Sequence, residues 1–163
     1  MPQRDVDLDA VDLAYLALFL GQRVNALVLE RMVANGFADA RERHGYVIQH
    51  LIGSPRTITE IGRRMGVTQQ AASKAVAELV GLGLAEITTM QDRRARRVSL
   101  SLRGRRCVEQ GRRIRRALDR QIAKAIGTAL YGQTRTALIS CLDALGGLRA
   151  VKQRRVSRPD SSE

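Results

Sequence analysis

The stretch from Thr57 to Leu102 has the residue pattern of two short helices followed by a two-stranded hairpin. Thr57 and Glu60 have capping-box spacing, in which a hydroxyl and a carboxylate each satisfy a free backbone N–H at the start of a helix. Gly66 is a residue type that ends helices in the left-handed conformation. Thr68 is a favourable N-cap for a second helix. The sequence therefore predicts a helix, a tight turn and a second helix.

The predicted second helix, Thr68 to Leu82, has one apolar face and one face of small, polar side chains. Its inward positions are Ala72, Val76, Leu79 and Val80. A purely solvated face would more often carry Glu–Lys pairs. Amides, hydroxyls and cations are the groups that read base edges and phosphates in a major groove. The candidate DNA-contacting residues of this helix are Thr68, Gln69, Gln70, Ser73 and Lys74.

Two runs of alternating apolar residues follow, and this period of two predicts the strands of a hairpin. The first run has Ala85, Ile87 and Thr89 on one side, and the second has Val98, Leu100 and Leu102. Residues 91–97 between them hold four arginines and one aspartate. Such a tip repels itself unless an anion is bound, so Arg93, Arg94 and Arg96 are further candidate DNA contacts.

Together these residues resemble the winged helix-turn-helix of the MarR family of bacterial transcription regulators. The matching positions are Thr57, Glu60–Gly62, Gly66–Thr68, Ser73, Lys74, Val76, Leu79, Gly83, Leu84, the wing signature Asp92–Ala95, and Leu100, Ser101 and Gly104. The resemblance implies a homodimer on double-stranded DNA, with the second helix in the major groove and the wing at the neighbouring minor groove. It also implies that Asp92 orients the wing arginines, and that half-sites lie about one turn, ~10 bp, apart.

Two positions depart from the family's pattern. Gly62 stands where Ala is common, and a glycine inside a helix costs ~1 kcal/mol relative to alanine. Arg56 stands where an apolar residue usually fixes the start of the first helix. Both departures predict that this helix is held less firmly.

Composition supports a basic, mainly helical single domain. The chain has 163 residues, 44% of them hydrophobic and 3% aromatic with no Trp, so its core must consist mostly of aliphatic side chains. The net charge is +12, which is typical of proteins that bind polyanions. Residues 1–50 carry five Arg against seven Asp or Glu, so the positive charge belongs to the rest of the chain.

The predicted fold is mainly α with a small β-wing, flanked by long dimerisation helices. A helix from Asp9 to Ala34 is apolar on more than one side, which indicates a partner subunit. Further helices are predicted at Phe37–Ile52, Leu102–Ile126 and residues 130–149, the last with nearly heptad spacing. The predicted organisation is 1–52 for N-terminal dimerisation helices, 53–102 for the winged helix-turn-helix, 103–150 for C-terminal dimerisation helices, and 151–163 for a disordered basic tail.

Enzymatic motifs, metal-ligand spacings and cofactor-binding loops are missing from the sequence, so we expect neither an enzyme nor a cofactor. Cys107 and Cys141 lie on apolar helical faces and are interpreted as small core residues.

The N-terminus is acidic, unlike a signal peptide. The apolar run Leu13 to Leu20 is shorter than the ~20 residues of a membrane span. These features predict a cytoplasmic protein without a membrane partner.

The family resemblance also implies a small anionic or phenolic effector, bound between the dimer helices and the DNA-binding lobe. The candidate ligand residues are Tyr15, Phe19, Phe37, His44 and Tyr46, for each of which ordinary packing is the alternative.

Two other functions of the protein stay open. A low-specificity nucleoid-type protein is favoured by the arginine run after residue 111 and by the basic tail. A ligand or redox sensor acting through protein partners would depend on Cys107 or Cys141.

Overall fold

The computed structural model describes residues 7–89 and 96–152, and it confirms a mainly helical fold with a two-stranded antiparallel wing. A 3-10 turn at Leu8–Ala10 precedes the first helix. The helices and strands are α1 (Leu13–Ala34), α2 (Glu42–Leu51), α3 (Ile58–Met65), α4 (Gln69–Gly81), β1 (Ala85–Thr89), β2 (Arg96–Leu100), α5 (Leu102–Ile126), α6 (Thr128–Ala144) and α7 (Leu148–Lys152).

The helix-turn-helix forms through the caps that its sequence predicts. The Glu60 backbone N–H donates to Thr57 Oγ1 at 3.2 Å, and the Thr57 N–H donates to Glu60 Oε2 at 2.8 Å. Gly66 ends α3 with φ of 71°, in the left-handed region that favours glycine. Thr68 Oγ1 accepts from the Ala71 N–H at 3.2 Å and starts α4. Local hydrogen bonds therefore fix both helix starts and the turn.

The core extends from the meeting point of α3, α4 and the wing strands to α1, α2 and α5. Its most deeply buried large side chains are Ile61, Val76, Leu79 and Val98. Val80, predicted on the inward face of α4, is instead 36% exposed. It follows the fully buried Leu79 directly, and a single turn of helix cannot direct two successive side chains to the same side.

The wing strands pair in antiparallel register, with Ala85 opposite Leu100 and Ile87 opposite Val98. The alternating apolar pattern extends to Leu102, but β2 ends at Leu100. The Ser101 hydroxyl accepts from the Gly104 N–H at 3.0 Å and thereby caps α5. Leu102 is the first residue of α5, and it is 59% exposed rather than part of the strand.

The two departures from the family pattern have structural explanations. The Arg56 N–H donates to the Val98 carbonyl at 2.9 Å, and the Val98 N–H donates back at 2.7 Å. Arg56 Nε also donates to the His50 carbonyl at 2.7 Å, so the start of α3 is firmly held, contrary to expectation. At Gly62 a Cβ would lie 3.1 Å from the Val67 carbonyl oxygen. The missing side chain therefore lets the turn after α3 pack closely.

The flanking helices begin and end differently from their predicted bounds. Asp12 caps α1 through a hydrogen bond from the Tyr15 N–H to its Oδ1 at 2.9 Å, so the helix starts later than Asp9. Phe37 precedes α2 rather than belonging to it. The predicted last helix is interrupted at Gly146, where φ is 72°. Of the predicted tail, Val151 and Lys152 complete α7, and residues 153–163 lie outside the described residues.

Large apolar side chains on α1 and α6 are exposed in the single chain. They are Leu13, Tyr15, Leu16, Leu18, Phe19, Leu20 and Val33 on α1, and Leu130, Leu138, Ile139 and Leu142 on α6. Within residues 7–89 and 96–152, α1 is the one helix with the length and composition of a membrane span. That is weak support for a membrane segment, because core helices of soluble proteins share these properties. The sequence-based estimate considered only the shorter run to Leu20.

Candidate nucleic-acid interface and adjoining cavity

The candidate DNA-contacting side chains of α4 are all exposed, while the opposite side of the helix is buried. Thr68, Gln69, Gln70, Ser73 and Lys74 lie at the solvent surface. The buried positions are Ala72, Val76 and Leu79. α4 therefore presents amides, a hydroxyl and an ammonium group from a rigid base, which is the chemistry that base edges and phosphates require.

The wing contributes one described candidate contact. Arg96 opens β2 opposite Thr89 and is exposed. The neighbouring Arg97 is half-buried, and its Nη1 donates to the Pro55 carbonyl at 3.3 Å, so this arginine ties the wing to the linker before α3. The other wing candidates, Asp92, Arg93 and Arg94, lie outside the described residues.

A polar cluster that the sequence analysis missed joins α2 to α4. Arg43 Nε lies 3.1 Å and 3.2 Å from the two carboxylate oxygens of Glu78, and Arg43 Nη2 also donates to Oε1. His44 Nε2 lies 3.1 Å from Glu78 Oε1. Hydrogen bonds from Arg43 and His44 lower the pKa of Glu78 to about 2, and the hydrogen bond to Glu78 raises the pKa of Arg43. We call Arg43, His44 and Glu78 the Glu78 clamp.

His44 takes a defined tautomer in this cluster. Its Nδ1 accepts from the Arg41 N–H at 3.2 Å, at the start of α2. In a neutral imidazole one nitrogen accepts while the other donates, so the ring proton belongs on Nε2, facing Glu78. The residue is only 5% exposed. One sequence signal was available for the cluster, since Glu78 is the sole carboxylate within residues 69–81.

A cavity of about 440 Å³ lies between α1, α2 and α5, next to the end of α4. Of the candidate ligand residues, His44 and Tyr46 line it, whereas Tyr15, Phe19 and Phe37 are not part of its wall. Tyr15 and Phe19 form a ring pair with centroids 6.1 Å apart on the exposed part of α1. The predicted ligand residues therefore do not form one site: His44 and Tyr46 line the cavity, and Tyr15 and Phe19 lie on the exposed surface of α1.

The cavity wall combines apolar and cationic groups. Val28, Met32 and Ile48 contribute apolar surface, and Arg112 and Arg115 of α5 add guanidinium groups. A site with a few placed charges on an apolar wall suits a small amphipathic molecule. The charges here favour an anionic one.

Cys107 also lines this cavity, but its chemistry is that of a core residue. The thiol is buried, and this burial raises its pKa. A protonated thiol is a poor nucleophile and oxidises slowly. Among the residues that the structure describes, no group of three or more His, Cys, Asp or Glu side chains is arranged to hold a metal ion.

Comparisons with known proteins agree with this geometry. A sequence model of the MarR family matches residues 41–95, which run from the start of α2 into the wing. No curated protein matches the chain by sequence.

Three solved structures illustrate the likeness of fold. RV1404 from Mycobacterium tuberculosis is 22% identical with a TM-score of 0.69, covering 85% of this chain and 97% of its own. Apo MarR from E. coli is 19% identical with a TM-score of 0.61, covering 81% and 98%. A mutant of MepR from Staphylococcus aureus, bound to an oligodeoxyribonucleotide, is 16% identical with a TM-score of 0.61, covering 83% and 99%.

The family model covers most of the residues that carry the sequence resemblance, from Thr57 to Ala95, and the solved structures share the arrangement of helices and wing. The sequence-based recognition is therefore confirmed: residues 41–95 match the MarR family, and the chain has the winged helix-turn-helix fold of MarR-type structures.

Proposed function

We propose that this chain is a homodimeric, sequence-specific DNA-binding regulator of transcription. The observation that carries the proposal is the exposed face of α4, where amide, hydroxyl and ammonium side chains stand on a buried apolar base. In this mode α4 enters the major groove, and the residues that meet bases and phosphates are Thr68, Gln69, Gln70, Ser73 and Lys74. A MepR mutant with a similar fold was solved in complex with an oligodeoxyribonucleotide. That structure supports a DNA-binding role for the fold of this chain.

The wing adds contacts at the neighbouring minor groove. Arginine is favoured there, because the narrow groove concentrates negative potential. Arg96 is exposed at the base of the wing, in keeping with this role. Arg93 and Arg94 complete the set, with Asp92 orienting them, as the family resemblance implies.

Dimerisation is supported by the exposed apolar surfaces of α1 and α6. Soluble monomers rarely leave large contiguous apolar patches uncovered. Leu16 and Phe19 on α1 and Leu138 and Leu142 on α6 are examples of side chains that a second copy would cover. A two-fold dimer presents two α4 helices, so the operator is a pseudo-palindrome with half-sites about one turn, ~10 bp, apart.

A small-molecule effector is the proposed regulator of DNA binding. The cavity of about 440 Å³ is of the size that such ligands occupy. His44 and Tyr46 are its proposed ligand residues, because both line its wall. Tyr15, Phe19 and Phe37 are assigned to the dimer surface and to packing instead, since the cavity does not include them.

Selection of bound fragments from randomised duplex DNA at physiological salt tests the proposal. Enrichment of a pseudo-palindrome with half-sites one turn apart is the expected result, and it also identifies the operator. Failure to bind any duplex contradicts the proposal, as does a strong preference for single strands.

A low-specificity nucleoid-type protein is the second candidate function. The arginines along α5 favour it, because Arg112, Arg113, Arg115, Arg116 and Arg120 are all exposed. Phosphate contacts give a steep dependence of affinity on salt and little preference between sequences. Tight binding without an enriched sequence would establish this function in place of the regulator. A redox sensor acting through protein partners would have to use the half-buried Cys141 of α6, since the Cys107 thiol is buried in the core.

A further inference from the structure

One side chain belongs both to the cavity wall and to the support of α4. The His44 ring lines the cavity, and its Nε2 lies 3.1 Å from Glu78 Oε1. Its Nδ1 is engaged by the Arg41 N–H at 3.2 Å. Because both nitrogens are bonded and the ring is buried, a group that displaces the ring must break at least one of these hydrogen bonds.

Glu78 has a second partner on the opposite side of its carboxylate. Arg43 meets both carboxylate oxygens, a geometry that fixes the orientation of the carboxylate plane. The Arg43 side chain is about half exposed, however, and exposed ion pairs contribute little to rigidity. The hydrogen bond from buried His44 also holds Glu78, and with it α4, against α2, and of the two partners only His44 lines the cavity.

The clamp acts on the part of α4 that adjoins the proposed DNA contacts. Glu78 lies one helical turn after Lys74, on the same side of the helix. Leu84 provides a second connection, since it lines the cavity and its N–H donates to the Leu79 carbonyl at 2.8 Å, at the end of α4. Two residues of the cavity wall, His44 and Leu84, thus contact the C-terminal half of α4.

We propose that the Glu78 clamp transmits the state of the cavity to α4, with His44 as the positioning residue. An occupant that displaces the imidazole releases Glu78 from its buried partner, and α4 then shifts or loosens against α2. None of the three clamp residues needs to touch DNA. The inference rests on the proposed function in one respect, because its effect on DNA affinity requires α4 to be the DNA-reading helix.

A double-mutant cycle tests the coupling without a ligand. Val108→Phe fills the cavity from α5, and Gly45→Leu fills it from α2, where a built Cβ meets nothing within 4 Å. Each is combined with Glu78→Gln, which removes the carboxylate but keeps its shape. Glu30→Gln is the matched control, since Glu30 also pairs with an arginine, Arg23, but lies outside the cavity wall.

Two readouts are compared within each cycle. The first is the ratio of affinities for the selected palindrome and a scrambled duplex, in which generic charge effects cancel. The second is amide hydrogen exchange of residues 69–81 without DNA. We expect cavity filling to change the affinity ratio at least about fivefold in the wild-type background, at the low end of known allosteric couplings. In the Glu78→Gln background the change should largely disappear, whereas Glu30→Gln should leave it intact.

The inference would be overturned if cavity filling and Glu78→Gln had additive effects both on the affinity ratio and on hydrogen exchange. His44→Ala gives an independent check that does not depend on the filled variants folding, because it should speed exchange in α4 while α5 stays protected. Unchanged exchange in that variant would also overturn the inference. If the protein bound no DNA but the effects on hydrogen exchange were still non-additive, the proposed function would be wrong. The coupling between the cavity and α4 through the Glu78 clamp would then still hold.

Discussion

The carbonyl oxygen of Leu84 lies 1.9 Å from the position that a Cβ on Gly104 would occupy. The same carbonyl accepts the Ser101 N–H at 3.1 Å, so the first turn of α5 is pressed against the chain between α4 and the wing. Contacts this close exist only where glycine leaves space. The junction between the DNA-binding lobe and α5 therefore depends on a single missing methyl group.

Gly104→Ala should lower the free energy of unfolding by about 1–3 kcal/mol or more, because the clash is with backbone that cannot rotate away. Urea denaturation followed by circular dichroism measures it. Gly45→Ala in α2 is the matched control, since its Cβ meets nothing within 4 Å and alanine is the better helix former by ~1 kcal/mol. Equal stability of the two variants would show that α5 can move away from Leu84 at little cost.

The Glu78 clamp predicts an acid-dependent contribution to stability. Glu78 has its pKa lowered from 4.5 to about 2, so its stabilising effect is fully present above pH 4.5 and is lost as the pH falls towards 2. Urea unfolding of wild type and Glu78→Gln between pH 7 and pH 2.5 should show a stability difference that shrinks on acidification. A difference that stays constant over this range would mean that the carboxylate is not held by its partners in solution.

Arg96→Ala should weaken DNA binding and reduce the salt slope by about 1, as expected for loss of one cationic contact to DNA. The side chain is exposed, so the thermal midpoint should not change. Fluorescence anisotropy at several salt concentrations provides the slope. Arg120→Ala on α5 is the comparison, and an equal loss of slope there would favour the nucleoid-type function.

Gln70→Ala should relax sequence preference at one base position and cost about 1–3 kcal/mol for the preferred operator, because an amide can bond bidentately to one base edge. Parallel selection from randomised DNA with wild type and variant shows the affected position. An unchanged sequence preference would place Gln70 away from the bases.

Leu142→Asp should convert the dimer to monomers, because it puts a charge into the exposed apolar surface of α6. Sedimentation equilibrium measures the mass. Leu102→Asp is a matched control at an exposed leucine on α5, outside α1 and α6, and should leave the dimer intact. A Leu142→Asp dimer of wild-type stability would exclude α6 from the interface.

Features encoded by neighbouring residues could be predicted from the sequence. Thr57 and Thr68 cap the helices that follow them as expected, because the donor and the acceptor of each cap lie three positions apart. Ser101 caps the start of α5 with the same spacing. Val80 was wrongly predicted to face inward because the apolar residues of α4 extend around more of the helix than the side that packs against the core.

Contacts between distant segments could not be predicted. Arg43 and His44 meet Glu78 across 35 and 34 positions, and although Glu78 is the sole carboxylate of α4, the sequence does not indicate which residues it pairs with. Arg56 presented a similar problem. Its side chain suggested a loosely held helix start, but its backbone, which carries no residue-specific signal, forms the anchoring bonds to Val98. The exposed face of α4 was predictable because its polar side chains lie opposite its apolar positions, and the contacts of that face with DNA stay a prediction.

The pairing of Arg56 with Val98 also sets an order of events during synthesis. Both hydrogen bonds at the start of α3 need a residue from β2, far later in the chain. A chain emerging from the ribosome therefore has α3 and α4 exposed before the strand that anchors them has been made. Completion of the DNA-binding lobe waits for translation to pass the wing, so in the nascent chain the lobe closes late, together with the start of α5.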